Sequence, residues 1–208
     1  KESDSFDRNG ESLISISGVE VNPNAYLIGL TRLALAGVDD PRLELGDSLE
    51  RPPFSNPQQD GFDVVLANPP WGSKIDLHGL GHFPIMTKDS TVLFIQHALT
   101  QLRPNGRAVL VIPQGVLFRG GAEQKLRKWL IEQHTVEAII SLPETVFLPY
   151  TAIKSSILVL RRGGTTKQVR MVDAEPFFER GKGRQPSLIS NSQIHELAEK
   201  TRVPESSD

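Results

Sequence analysis

Apolar and polar residues alternate over residues 14–21, and this pattern predicts a strand with one buried face. Asn22 and Pro23 follow it as a helix N-cap and a first helical residue. Leucines at helical spacing then predict a helix over 23–36, which Gly37 would end. The first periodic elements are therefore a strand and a helix.

The same order of strand and helix continues along the chain. Residues 50–60 and 72–88 are rich in glycine, proline and polar side chains and predict surface loops, the second one long. Strands that alternate with helices of about 10–15 residues favour an α/β fold with a parallel sheet. The further strands are predicted at 43–45, 62–67, 107–113, 136–142, 157–160 and 169–172, and the further helices at 91–102, 122–132 and 192–200.

Composition limits the class of protein. The 208 residues, of which 38% are hydrophobic, suffice for one buried core with a short appendage. No apolar run reaches the roughly 20 residues that span a bilayer, and the polar residues 1–12 do not resemble a signal peptide, so we expect a cytoplasmic protein. The absence of cysteine excludes disulfides and thiolate chemistry. Because the net charge is −2, binding of nucleic acid would require a local basic surface or a partner protein.

The tetrapeptide Asn68-Pro69-Pro70-Trp71, here called the NPPW motif, follows the strand predicted at 62–67. Ligands of open α/β sheets bind there, beyond the carboxyl ends of the strands. An amine on an aromatic ring is a poor nucleophile, and acceptors aimed at its two hydrogens free the nitrogen lone pair for attack. The Asn68 side-chain oxygen and the Pro69 carbonyl can be those acceptors, stiffened by two prolines, while Trp71 offers a flat face to a flipped base. A strand-ending Pro-Pro with a core Trp would explain neither the Asn nor the position of the aromatic residue.

The motif is similar to the signature of amino-group methyltransferases that use S-adenosylmethionine, with Trp71 where Tyr or Phe is usual. Those enzymes methylate adenine N6 in DNA, a glutamine of peptide-release factors, or guanine in RNA. Other segments favour the first, because they resemble the modification subunit of type I restriction-modification systems. These segments are Gly115–Glu123, Ser141–Glu144, Val146–Thr151, Ser155–Leu160 and Val172–Ala174. The resemblance covers about residues 14–190.

This resemblance implies a Rossmann-like, S-adenosylmethionine-dependent methyltransferase fold with a mostly parallel sheet and helices on both faces. We accordingly divide the chain into a polar lead-in (1–13), a partial methyltransferase catalytic domain (14–175) and a C-terminal helical appendage (176–208). The implied substrate is DNA. Because no segment after Trp71 looks like a target-recognition domain, the implied partners are a specificity subunit and a restriction (nuclease) subunit.

The resemblance also implies roles for four side chains. Glu20 matches the acidic residue that binds the ribose hydroxyls of the cofactor. Asp47 matches the position that contacts the adenine amino group of the cofactor, although a simple turn aspartate explains it almost equally well. Phe147 and Tyr150 match a loop near the target base, where each would either stack on the base or pack against its neighbours.

Two other signals are weaker. His78 and His82 are four residues apart, but intervening glycines disfavour the helix that would pair them, so we expect no metal site. A group of basic residues predicts either a solvated face or a contact with the DNA backbone. This group consists of Arg161, Arg162, Lys167, Arg170, Arg180, Lys182 and Arg184.

One expected motif is not found. In the family, a glycine-rich loop and the strand before it precede the position of Ser17, and residues 1–13 do not contain such a loop. We therefore interpret the chain as a fragment that binds S-adenosylmethionine weakly and has little or no methyltransferase activity alone. The alternatives are an inactive remnant that acts as an assembly or DNA-contacting module, and a glutamine or RNA methyltransferase.

Overall fold

The computed structural model describes residues 14–38, 40–133, 135–183 and 185–201, so the predicted lead-in 1–13 lies outside the described residues. Strands and helices alternate through most of the chain, which confirms the predicted α/β class. The elements are β1 (Ser17–Glu20), α1 (Pro23–Leu35), β2 (Arg42–Leu45), α2 (Pro57–Asp60), β3 (Phe62–Ala67), α3 (Ser90–Thr100), β4 (Leu102–Pro113), α4 (Ala122–Glu132), β5 (Val136–Ser141), β6 (Ser155–Arg161), β7 (Arg170–Asp173) and α5 (Asn191–Thr201).

The chain divides into two compact units, residues 1–52 and 53–208. In the first unit β1 and β2 form a parallel pair, joined by α1. Asn22 caps this helix as predicted, because its side-chain oxygen accepts hydrogen bonds from the backbone N–H groups of Asn24 (2.9 Å) and Ala25 (3.2 Å). No residue of α1 is buried.

The second unit contains a five-stranded sheet with the order β3-β4-β6-β5-β7. Four of these strands run in one direction, and β6 alone is antiparallel to both of its neighbours, β4 and β5. The predicted, mostly parallel sheet is therefore confirmed, with one reversed strand that the sequence analysis did not identify. The reversal follows from the connection between β5 and β6, since residues 142–154 contain no helix and parallel neighbours normally need a helical crossover.

Helices cover both faces of this sheet. Alternate residues of β4 (Ala108, Leu110 and Ile112) are fully buried in one cluster together with side chains of α3 and α4. On the other face, Phe177 and Leu197 pack with residues of β5 and β7. Because Leu197 belongs to α5, the helix predicted as a C-terminal appendage packs against the sheet.

The structure corrects two element predictions. Residues 104–106 lie between the predicted helix 91–102 and the predicted strand 107–113, but they belong to β4, which is longer than predicted. Asn105 adopts a φ of 66° there, and the pairing of β3 with β4 shifts register next to it, so a bulge accommodates the turn-forming residues. The predicted loop 50–60 also contains the single-turn helix α2. Among the described residues, no helix has both the length and the apolar character needed to cross a membrane.

Candidate active site

The NPPW motif directly follows β3, at the carboxyl ends of the parallel strands. Asn68 and Pro70 are exposed, Pro69 is buried and Trp71 is half-buried. The motif therefore offers the Asn68 amide to solvent while its backbone lies against the protein. This is the sheet edge at which the sequence analysis placed it.

Two contacts hold the Trp71 ring. Its indole N–H donates to the backbone carbonyl of Val111 in β4, at 3.2 Å. The rings of Trp71 and Phe147 pack edge to face, with 5.7 Å between centroids and 86° between planes. The structure thus brings together two of the predicted base-stacking residues. The third, Tyr150, is 93% exposed.

The first residues of α3 hold the backbone of the motif. The Ser90 hydroxyl donates to the Pro70 carbonyl (2.9 Å) and accepts from the N–H of Ser73 (3.0 Å). The Thr91 hydroxyl accepts from the N–H of Gly72 at 3.2 Å, and Gly72 has a φ of 64° that favours glycine. Ser90 and Thr91 are only 0% and 2% exposed. The sequence analysis missed both, and the only local signal was two hydroxyl residues behind a helix cap.

The long loop 72–88 is attached to the same helix farther along. Gln96 is fully buried, and its side-chain amide accepts from the N–H of Ile85 (2.8 Å) and donates to the Ile85 carbonyl (3.0 Å). A side-chain amide thereby pairs with the loop as a neighbouring strand would. Leu80 and Phe83 of the loop are also buried. The loop 72–88 is therefore bonded to α3 near its start, at residues 72 and 73, and near its end, at residue 85.

The two predicted cofactor residues lie in the first unit. Glu20 ends β1, and its carboxylate accepts from the N–H of Asn22 at 2.8 Å. Asp47 follows β2, and its carboxylate accepts from the N–H of Leu49 at 2.9 Å, which is the bond of a turn aspartate. The N–H of Gly46 donates to the Glu20 carbonyl at 3.0 Å, so both carboxylates belong to the carboxyl edge of one parallel strand pair.

Comparison with known proteins shows the family of the chain. The family model described as N-6 DNA Methylase matches residues 2–206. The chain belongs to the N-6 DNA methylase family. It is 35% identical over 157 residues to the type I restriction enzyme EcoEI methylase subunit of Escherichia coli, which covers 74% of this chain and 32% of that protein.

Solved structures give the same family. The type I restriction-modification methyltransferase subunit from Streptococcus thermophilus matches with a TM-score of 0.78 and 27% identity, over 90% of this chain and 41% of that one. A chain from a structure of type I restriction-modification assembly and conformational transition matches with a TM-score of 0.73 and 30% identity, over 88% and 37% of the two chains. The chain spans about a third of the length of the EcoEI methylase subunit.

Two members of the basic group, Arg161 and Arg162, make contacts within the protein. Arg161 ends the antiparallel strand β6, so it is at the sheet edge opposite to the NPPW motif, where it donates to the Asn105 side chain (3.0 Å) and pairs with Glu137. Arg162 donates to the Thr100 carbonyl at 3.0 Å. Both arginines therefore contribute to internal contacts, which neither of the two predictions for this group anticipated.

Two remaining predictions concern histidine and arginine. The His82 ring packs on Phe83, with 4.2 Å between centroids, and His78 is exposed. Within the described parts of the chain, no three His, Cys, Asp or Glu side chains are grouped in a way that could hold a metal ion. Arg184 of the basic group lies outside the described residues.

Proposed function

We propose that this chain is part of an N6-adenine DNA methyltransferase subunit of a type I restriction-modification system. Its NPPW motif would bind the exocyclic amine of an adenine that has been turned out of the DNA duplex. The observation that carries the proposal is the exposed Asn68 at the carboxyl end of β3, next to a backbone and an indole ring that are fixed by hydrogen bonds. Family membership supports the same chemistry.

Each residue of the motif has a distinct task in this proposal. The Asn68 side-chain oxygen and the Pro69 carbonyl accept hydrogen bonds from the two amine hydrogens of adenine, which directs the nitrogen lone pair toward the methyl donor. Two prolines restrict the backbone that presents the carbonyl. Trp71 stacks on the extruded base, and Phe147, whose ring contacts that of Trp71, limits the rotation of the indole. Tyr150, which is exposed, would contact the base or its neighbours in DNA.

The residues of the first unit fit S-adenosylmethionine by the chemistry of their acceptors. Ribose hydroxyls and an adenine amino group are hydrogen-bond donors, and two carboxylates at one sheet edge can accept from them. Glu20 would hold the ribose and Asp47 the adenine of the cofactor. When bound, S-adenosylmethionine supplies the electrophilic methyl group.

The low net charge suggests that the chain acts on DNA together with partner proteins. A formal net charge of −2 gives this chain no overall attraction for DNA. We therefore propose that a specificity subunit selects and holds the DNA, and that a restriction subunit joins the same assembly. Action on DNA also agrees with the cytoplasmic location expected from the sequence.

Product analysis tests the function. A complete methylase subunit that contains this chain, combined with its specificity subunit, is incubated with DNA and S-adenosylmethionine labelled at the methyl group. Chromatography of the digested DNA should then show labelled N6-methyladenine. Label in protein glutamine or in RNA guanine would support the alternative amino-methyltransferases. If the protein binds DNA but neither transfers a methyl group nor binds S-adenosylmethionine, the inactive assembly module is supported.

A further inference from the structure

Three hydrogen bonds surround a single residue of the NPPW motif. The peptide before Trp71 is held through the Pro70 carbonyl by the Ser90 hydroxyl (2.9 Å). The peptide after it is held through the Gly72 N–H by the Thr91 hydroxyl (3.2 Å). The indole N–H is held by the Val111 carbonyl. Because peptide units are planar, fixing the units on both sides of one α-carbon restricts both of its backbone dihedral angles.

The two hydroxyls are not needed to cap their own helix. Asp89 is the N-cap of α3, since its carboxylate accepts from the N–H of Val92 at 3.2 Å. Serine and threonine at the start of a helix most often act as caps, but here both hydroxyls bond to the loop 70–73. Ser90 also donates through its own N–H to the Ser73 carbonyl at 3.0 Å. The first two residues of α3 therefore bond to the NPPW motif and the loop after it.

We infer that Ser90 and Thr91 are positioning residues, which set the direction of the Trp71 ring and of the motif backbone for the target adenine. This inference rests on the proposed function and assigns to α3 a role in orienting the base. A hydroxyl can donate and accept at once, and Ser90 uses both capacities, so alanine cannot replace it. Both side chains are buried, so each hydroxyl is shielded from solvent where it meets the loop.

Substitutions at Thr91 separate the hydrogen bond from packing. Thr91→Val keeps the shape of the side chain and removes the hydroxyl, whereas Thr91→Ser keeps the hydroxyl and removes a methyl group. If packing alone mattered, Thr91→Ser would have the larger effect. If the hydrogen bond positions Trp71, Thr91→Val has the larger effect. Ser90→Ala removes the other hydroxyl, and the Thr91 pair decides the test should that variant fail to fold.

Trp71 fluorescence reports position without any need for activity. The chain has two tryptophans, so Trp129→Phe leaves Trp71 as the only tryptophan, which is excited selectively at wavelengths that tyrosine does not absorb. We expect Ser90→Ala and Thr91→Val to shift the emission to longer wavelength and to increase quenching by acrylamide, and Thr91→Ser to match the parent. Thr135→Val is the matched control, because it removes another buried threonine hydroxyl, bonded to the Leu130 carbonyl at 2.9 Å. Spectra of Ser90→Ala and Thr91→Val identical to those of the parent would overturn the inference.

Kinetics of the complete subunit provide a second measurement. Because small displacements of reacting groups can cost about 10²-fold in rate, Thr91→Val should lower kcat by up to about that factor. The KM for S-adenosylmethionine should not change, since Glu20 and Asp47 are untouched. Absence of transfer by the parent would contradict the proposed function, while fluorescence would still decide the positioning role. Transfer with an unchanged kcat in Thr91→Val would refute positioning and leave the proposed function intact.

Discussion

The two units differ in how firmly they hold their candidate site residues. Around the NPPW motif, buried side chains of α3 bond to the loop at several points, and Gln96 holds the loop farther on. In the first unit, the carboxylates of Glu20 and Asp47 each accept from a backbone N–H two residues away. The helix between the strands, α1, has no buried residue, and its Leu27 and Ile28 are 59% and 60% exposed.

This difference indicates how the two halves of the proposed chemistry depend on the rest of the protein. The amine side, around the NPPW motif, has a buried core and a hydrogen-bond network formed by residues of this chain. The cofactor side has two carboxylates on a small strand pair, and among residues 14–38 and 40–52, which the structure describes there, Leu49 is the only buried apolar side chain. The predicted weak binding of S-adenosylmethionine agrees with that contrast. The following substitutions test it, from the largest expected effect to the smallest.

Asn68→Ala should have the largest effect on activity. Removing one preorganised hydrogen-bonding group from an active site typically costs about 10²–10³-fold in kcat. Asn68 is exposed, so its replacement should leave stability unchanged. The measurement is methyl transfer by the complete subunit, with thermal unfolding as a check. The control is Asn56→Ala, because Asn56 is an exposed asparagine whose side chain makes no cap hydrogen bond. Equal rates in parent and Asn68→Ala would remove Asn68 from the site.

Truncation of one leucine in each unit compares the two cores. Leu126 of α4 is fully buried, so Leu126→Ala should lower the free energy of unfolding by about 2–5 kcal/mol. Leu27 of α1 is mostly exposed, so Leu27→Ala should change it by less than about 0.5 kcal/mol. Urea unfolding followed by circular dichroism measures both. Similar costs for the two substitutions would show that α1 is buried in the protein in solution.

Gln96→Leu tests the attachment of the loop 72–88. The substitution leaves the N–H and carbonyl of the half-buried Ile85 without their partner, which should cost about 1–3 kcal/mol of unfolding free energy. Hydrogen exchange of the loop amides should accelerate as well. Gln124→Leu is the control, because Gln124 is exposed on α4. If both variants unfold at the same urea concentration as the parent, the amide of Gln96 does not hold the loop.

Glu20→Ala should have the smallest effect, on the affinity for S-adenosylmethionine. Loss of a hydrogen bond to a charged group at a partly exposed position should weaken binding about tenfold, or about 1.4 kcal/mol. Calorimetric titration of the chain measures it, with Glu50→Ala as a control carboxylate of the same unit that is exposed. Equal affinities for parent and Glu20→Ala would exclude Glu20 from the cofactor site. A parent that binds no S-adenosylmethionine would favour the inactive module.

Local signals in the sequence predicted the local features well. Asn22 acts as the predicted helix cap because capping needs only residues within one turn. The strand predicted at 62–67 has those bounds, since its apolar run is bounded by glycine and by the proline pair. The NPPW motif could be placed at a sheet edge for the same reason.

Features that depend on distant contacts could not be predicted. Nothing in the sequence around Ser90 indicates that its hydroxyl bonds to Pro70, because the two are 20 residues apart and meet only when α3 packs beside the sheet. Arg161 was grouped with other basic residues by sequence proximity, while its partner Glu137 lies on a neighbouring strand. The reversed direction of β6 is an intermediate case, since the lack of a helical pattern between β5 and β6 was visible in the sequence.

The central claim is that residues 68–71 recognise the exocyclic amine of adenine. Nuclear magnetic resonance of this chain can test it directly, through the Trp71 indole N–H resonance in a Trp129→Phe background. Deoxyadenosine and purine deoxyriboside, which lacks the amine, are titrated separately. The claim predicts that the affinity for deoxyadenosine, measured from the shift of this resonance, is at least about tenfold higher than that for the purine analogue. The analogue cannot bond to Asn68 and Pro69 through an amine. Equal affinities for the two nucleosides, or no shift with either, would contradict it.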